Sequence, residues 1–219
     1  MTISVQSIIF DAQDALDDLS GVRWSAVALV QYLNDAQRAC VDVRPDLASI
    51  TVDHPLVPGA RQAVPGNCSK LIEVSRNTNG RPVRLVKREL LDYSQPGWMQ
   101  KTGSKSVQNY CYDPKDSRTF HVYPPAVAGA SVDMVMVPRP TDIAAPSGSS
   151  WVTCSGNINV ADEYAEALLH FVLFKAYARD SEQGNAGISA AHYQLFKSAL
   201  GDEASGRAAV SPSANDVQQ

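Results

Sequence analysis

The chain has 219 residues, 44% of them hydrophobic and 19% charged, proportions that suit a packed globular protein and exclude a disordered or fibrous one. A formal net charge of -4 and a pI near 5.5 leave no overall positive field to hold a polyanion, which argues against sequence-specific DNA binding. The longest apolar stretch, 165–174, is broken by Glu166 and His170 and is far short of the roughly 18 residues a spanning helix needs.

From Val5 the apolar residues Val5, Ile8, Ile9, Ala12, Ala15, Leu16 and Leu19 recur at three- and four-residue spacing, which predicts a first helix stopped by Ser20-Gly21. Asp11, Asp14 and Asp18 fall on its opposite face. Ser25 is the expected N-cap of a second helix running through Leu29, Val30, Leu33, Ala36, Gln37, Cys40 and Val41 until Pro45 ends it. The short connection predicts a helical hairpin with Trp24 near its turn.

After Asp46 prolines and glycines become frequent, and short β-prone runs alternate with turn clusters. Strands are expected at 49–53, 70–75, 82–88, 107–112, 119–123 and 131–138, with neighbours across short turns pairing antiparallel. Helical periodicity returns with Tyr164, Ala167, Leu168, Phe171, Phe174, Lys175 and Ala178, after a start signal at Asn159 or Asp162. A loop holding Gly184 and Gly187 then leads to Ser189 as N-cap of a fourth helix with a Tyr193, Phe196 and Leu200 stripe ending at Gly201.

The fold class read from this order is α+β: an antiparallel helical bundle formed by N- and C-terminal hairpins, with an inserted antiparallel β-rich region. The hairpins cover 1–46 and 159–201, and the insertion covers 47–158. Residues 202–219 are small and polar and read as a flexible or docking tail.

Chemistry is hard to find along the chain. Cys40, Cys68, Cys111 and Cys154 form no CxxC pair and read as reduced and buried. Glu163, Glu166 and His170 share a helical face, but their spacing matches neither HExxH nor ExxH, and an exposed polar pair explains it equally. His54, His121 and His192 each stand alone, His121 on the wetter face of a strand whose Phe120 and Val122 point inward. Ser147-Gly148-Ser149-Ser150 lacks the nucleophile-elbow pattern and reads as a linker, and no phosphate-binding loop is present. No catalytic, cofactor or metal residue is assigned. The acidic start of the chain lacks the basic region and cleavage site of a signal peptide, so assembly in a cytoplasm is expected.

Basic residues gather in the β region at Arg76, Arg81, Arg84, Lys87, Arg88, Lys101 and Lys105, while acids gather on the first helix. That asymmetry suits head-to-tail contact between copies, and equally an ordinary solvated sheet face.

Five segments in order carry a resemblance: RWSAVALVQYLNDAQRACVDVRPDL, RELLDYSQPGW, YDPKDSRTFHVYPPA, DEYAEALLHFVLFKAYARDSE and AAHYQLFKSALG, distributed along the chain from Arg23 to Gly201. The sequence resembles the head-to-tail adaptor, or head-completion, proteins of tailed phages, the group that includes the tail tubular protein A type. The resemblance implies a virion protein without enzymatic activity, forming a dodecameric ring beneath the portal. Portal and tail or nozzle proteins would be its partners, and the genome would pass through its channel without sequence-specific binding. For a protein built to present surfaces, the interface candidates to test first are Tyr164, Tyr177 and Arg179 on the third helix and Arg84 and Arg88 in the β region. Asp11, Asp14 and Asp18 are candidates for a channel wall that keeps DNA from sticking, and the tail is expected to order on the portal or a neighbour. Two other readings compete: a tail-associated carbohydrate- or protein-binding module using the loop aromatics Trp98 and Trp151, and an enzyme with a dispersed site.

Overall fold

The computed structural model describes residues 3–179 and 186–201, so the expected tail at 202–219 and the loop glycine Gly184 lie outside the described residues. The protein is α+β, with five α-helices and two β-sheets among the described residues. In chain order these are α1 (Val5–Ala15), α2 (Ala26–Val43), β1 (Ile50–Pro55), β2 (Gly59–Ala63), β3 (Cys68–Asn77), β4 (Arg84–Leu85), α3 (Arg88–Ser94), β5 (Asn109–Tyr112), β6 (Thr119–Ala126), β7 (Ser131–Pro138), α4 (Ala165–Arg179) and α5 (Ala186–Ala199). The described residues fall into two compact units, a helical one of 3–48, 139–179 and 186–201 and a β unit of Ser49–Pro138.

In the helical unit, α1, α2, α4 and α5 share one apolar core. Ile8, Ile9, Leu29, Leu33, Leu168, Val172, Phe196 and Leu200 are all buried in it, each worth roughly 1.5–3 kcal/mol relative to exposure. The Phe171 ring meets Phe196 edge-on at 5.0 Å, joining α4 to α5. Ser25 caps α2 as expected, accepting from the Ala28 amide. Ser189 does not cap α5, which begins at Ala186; it lies inside the helix, where its hydroxyl donates to the Phe174 carbonyl.

Helix α1 stops at Ala15, four residues before the expected end, and Leu19 is exposed. The cause is local. Asp17 takes a positive φ of 52°, and the Asp18 carboxylate accepts the amides of Val22, Arg23 and Trp24, an alternative to helix that periodicity does not reveal. Gly21, at φ 66°, completes the turn.

Residues 139–158, expected within the insertion, pack on the helices instead. Fully buried Gln13 on α1 donates to the carbonyls of Trp24 (2.8 Å) and Ser149 (3.1 Å) and accepts from the Trp151 amide at 2.9 Å. Asn34 on α2 exchanges bonds with the backbone of Ile143, and Gln37 accepts from the Asn159 amide. The serine run is thus an irregular strap whose backbone groups are satisfied by buried amides of the helices.

The β unit holds a three-stranded sheet, order β1-β7-β3, and a four-stranded sheet, order β2-β6-β5-β4. Strands β5 and β6, across the Asp113–Asp116 turn, pair antiparallel as expected. Strands β6 and β7 do not: the turn at Val127–Gly129 carries the chain from one sheet to the other, and β7 pairs with β1 and β3. The expected strand at 82–88 is only Arg84–Leu85, parallel to β5, because Arg88 already opens α3. Strand β2 was not expected; GARQA has no β-branched residue to mark it. Leu71, Val74, Tyr110, Phe120, Val122, Val132 and Met134 fill the core, and His121 sits between buried Phe120 and Val122 as its alternation requires.

Trp98 is 2% exposed. Its Nε1–H donates to Asp92 at 2.8 Å, and its ring meets His121 and Tyr123 edge-on beneath α3. It is a packing residue and offers no face to a sugar. Trp151, partly buried, stands edge-on to Phe10 at 4.9 Å.

Candidate functional site

The four cysteines are free and buried, and burial pushes the Cys40 thiol up to about 12, which makes it a poor nucleophile. Among the described residues no three His, Cys, Asp or Glu side chains are placed to hold a metal ion, and no helix is long and apolar enough to cross a membrane.

The histidines gave one surprise. His170 on α4 and His192 on α5, 22 residues apart, bring their Nδ1 atoms to 3.2 Å, with Tyr177 stacked on His192 and Glu166 3.8 Å from His170 Nε2. Spacing within one helix could not have paired them, since the pairing depends on how α4 and α5 meet.

Burial holds His54, His121 and His192 below the ordinary imidazole value of 6.5, with His170 adding to the effect at His192 and Arg88 and Arg61 at His121. The unfolded chain therefore takes up protons near pH 6.5 that the folded chain resists. Their contribution is fully present above that pH and is lost as pH falls toward the folded values. The melting temperature is expected to be flat above about pH 6.5 and to fall below it, before ordinary carboxylates titrate, in thermal unfolding followed by circular dichroism across a pH series.

The surfaces that stand out are charged. Between Ser49 and Pro138 there are 11 lysines and arginines against 7 acids, a formal +4; in the described residues of the helical unit the balance reverses to 7 against 11, a formal -4. On the β unit, Arg81, Pro82, Arg84, Ser104, Ser106, Val107, Gln108 and Asn109 line a groove of about 520 Å³ without a single acid. Arg81, Arg84 and neighbouring Lys105 are exposed and form no ion pair among the described residues. The groove is held from below by buried Asn77, which donates to the carbonyls of Arg81 and Val107 and accepts from the Val107 amide.

The expected site residues fall into separate places. Arg84 lines this groove, whereas Arg88 borders a second, mixed pocket with Glu89, Asp92, Asp113, Asp116 and His121, its Nε 3.6 Å from Asp92. Tyr164, in the turn just before α4, is partly buried against the helical core; on α4 the Tyr177 hydroxyl donates to the Ala15 carbonyl, and Arg179 reaches the Tyr32 hydroxyl. Asp11 and Asp14 are exposed on α1. Asp18 has left their face: burial alone would raise its carboxyl, but the amides of Trp24, Val22 and Arg23 and the Ser20 hydroxyl outweigh that and hold it below the usual range. The acid that spacing grouped with the other two is a turn-former.

Among the described residues the molecule thus presents two oppositely charged units and a basic groove. No curated protein matches the chain. The family model of the SU10 adaptor protein matches residues 3–217, nearly the whole chain, and the chain belongs to that family of phage adaptors.

Proposed function

We propose that the protein is a structural, non-enzymatic subunit of the phage virion that forms a ring, dodecameric by resemblance, between portal and tail. The ring leaves an exit path for the genome, and assembly takes place in the host cytoplasm. The observation that carries the reading is family membership across 3–217. The opposite charges of the two units support it, because a closed ring is built from a heterologous contact in which one face meets a different face of the next copy. In this reading α1, α2, α4 and α5 are an antiparallel bundle serving as a rigid frame, supported by the core they share, and the β unit is an autonomous domain inserted into it. Residues 202–219 dock on the portal or a neighbouring copy.

Particle imaging and mass measurement of the purified chain, alone and mixed with portal, test this. Closed rings in either sample are the expected result. Chains that remain monomeric in both samples would overturn the reading.

A further inference from the structure

We infer that the acid-free groove of the β unit, centred on Arg81 and Arg84, receives the acidic face of α1, Asp11 and Asp14, from a second copy of this chain. The inference rests on the ring reading and names the two surfaces that would close it.

Three observations lead here. The groove is lined only by cationic, neutral polar and apolar residues in a chain of net charge -4, and its arginines are free of ion pairs among the described residues. Such a surface is solvated at a cost that a carboxylate partner can offset, and arginine forks suit carboxylates. Asp11 and Asp14 are the matching half: both exposed, one helical turn apart on α1, and likewise without an ion pair among the described residues. Phe10, 37% exposed, is their neighbour on the same helix, and Leu19 and Val22, 45% and 88% exposed, follow in the turn; this apolar surface would be covered by the same contact.

The occupant is a second copy rather than DNA because the complement lies on the chain itself. The helical unit carries the charge that the β unit lacks, and the acidic and basic surfaces sit on different units, as a head-to-tail contact needs. Asp18, already satisfied by three backbone amides, takes no part.

The test is a charge-swap series on the full chain: R81E/R84E, D11R/D14R, and the four substitutions together, with assembly read by mass photometry across concentration and salt. Each double variant is expected to raise the concentration for half-assembly by about tenfold or more, and the combined variant to recover most of that loss. Circular dichroism should show all three folded, since every substituted side chain is exposed. Wild-type rings matched by both double variants would overturn the inference while leaving the ring intact, and would return Asp11 and Asp14 to the channel wall. Loss in both doubles without recovery in the combined chain would also overturn it. If R81E/R84E assembles normally but no longer retains DNA, the groove serves phosphates and the inference falls. A wild-type chain that never assembles, with or without portal, ends both readings.

Discussion

Replacing Gly21 with alanine is expected to destabilise the helical unit by about 3 kcal/mol or more, among the larger effects a single methyl group can have. Gly21 has a φ of 66°, and a Cβ built there would lie 2.1 Å from the Ser149 carbonyl oxygen and 2.8 Å from the Gln13 amide nitrogen. Neither neighbour can yield cheaply. The Ser149 carbonyl also accepts the first amide of α2, at Ala26, and the Gln13 amide is buried with its bonds to Trp24 and Ser149. Gly156 supplies the control. Its φ of 87° is equally left-handed, but nothing lies within 4 Å of its added Cβ, so Gly156→Ala should cost only the backbone term of about 1–2 kcal/mol. Urea unfolding followed by tryptophan fluorescence measures both, since Trp24 is buried beside the turn. Equal costs for the two variants would mean that the strap at Ser149 does not press on the turn.

Gly21 also shows where a sequence stops being readable. The helices were legible because periodicity reports burial: most of the spaced residues along α1, α2 and α4, such as Ile8, Ile9, Leu29, Leu33, Leu168 and Phe171, are buried in their core, whereas Ala15 and Ala178 at the helix ends are exposed. The end of α1 was not, because the Asp18 side chain competes for amides that periodicity assigns to a continuing helix. Helix α3 leaves little signal, because RELLDYS makes only two turns and buries only Leu91; the strand expected at 82–88 reaches only its first residue. The split of β6 and β7 into different sheets depends on partners 50 and more residues away, so no local signal carries it.

The candidate site followed the same division. Clustering of basic residues in the β region was visible, but not which of them share an acid-free groove. That depends on β4 lying parallel to β5, which brings Arg81 and Arg84 beside 104–109. Trp98 looked like a recognition aromatic because it sits among Gly, Pro and Gln; in the fold its indole is the floor beneath α3. The carbohydrate-binding alternative loses its main residue by that burial.

Asn77 is where groove and fold depend on one side chain, and Asn77→Leu is expected to cost about 2–4 kcal/mol, because it orphans buried backbone groups without changing size much. The residue is 6% exposed at the end of β3, and its amide ties the carbonyls of Arg81 and Val107 to one point while holding the Val107 amide at 2.8 Å. Those are the two segments that form the walls of the groove, so the variant should weaken self-association as well as lower the urea midpoint. Asn77→Asp separates geometry from chemistry. Aspartate has nearly the same shape, but when ionised it can only accept, which sets a carboxylate against two carbonyl oxygens. Its folded pKa must rise, so its penalty relative to wild type at the same pH should be largest near neutrality and shrink as acid protonates it and restores one donor. Paired urea titrations of wild type and Asn77→Asp from about pH 7 to about pH 5 give the result directly. A penalty independent of pH would show that the donor bonds to Arg81 and Val107 do not hold the groove together.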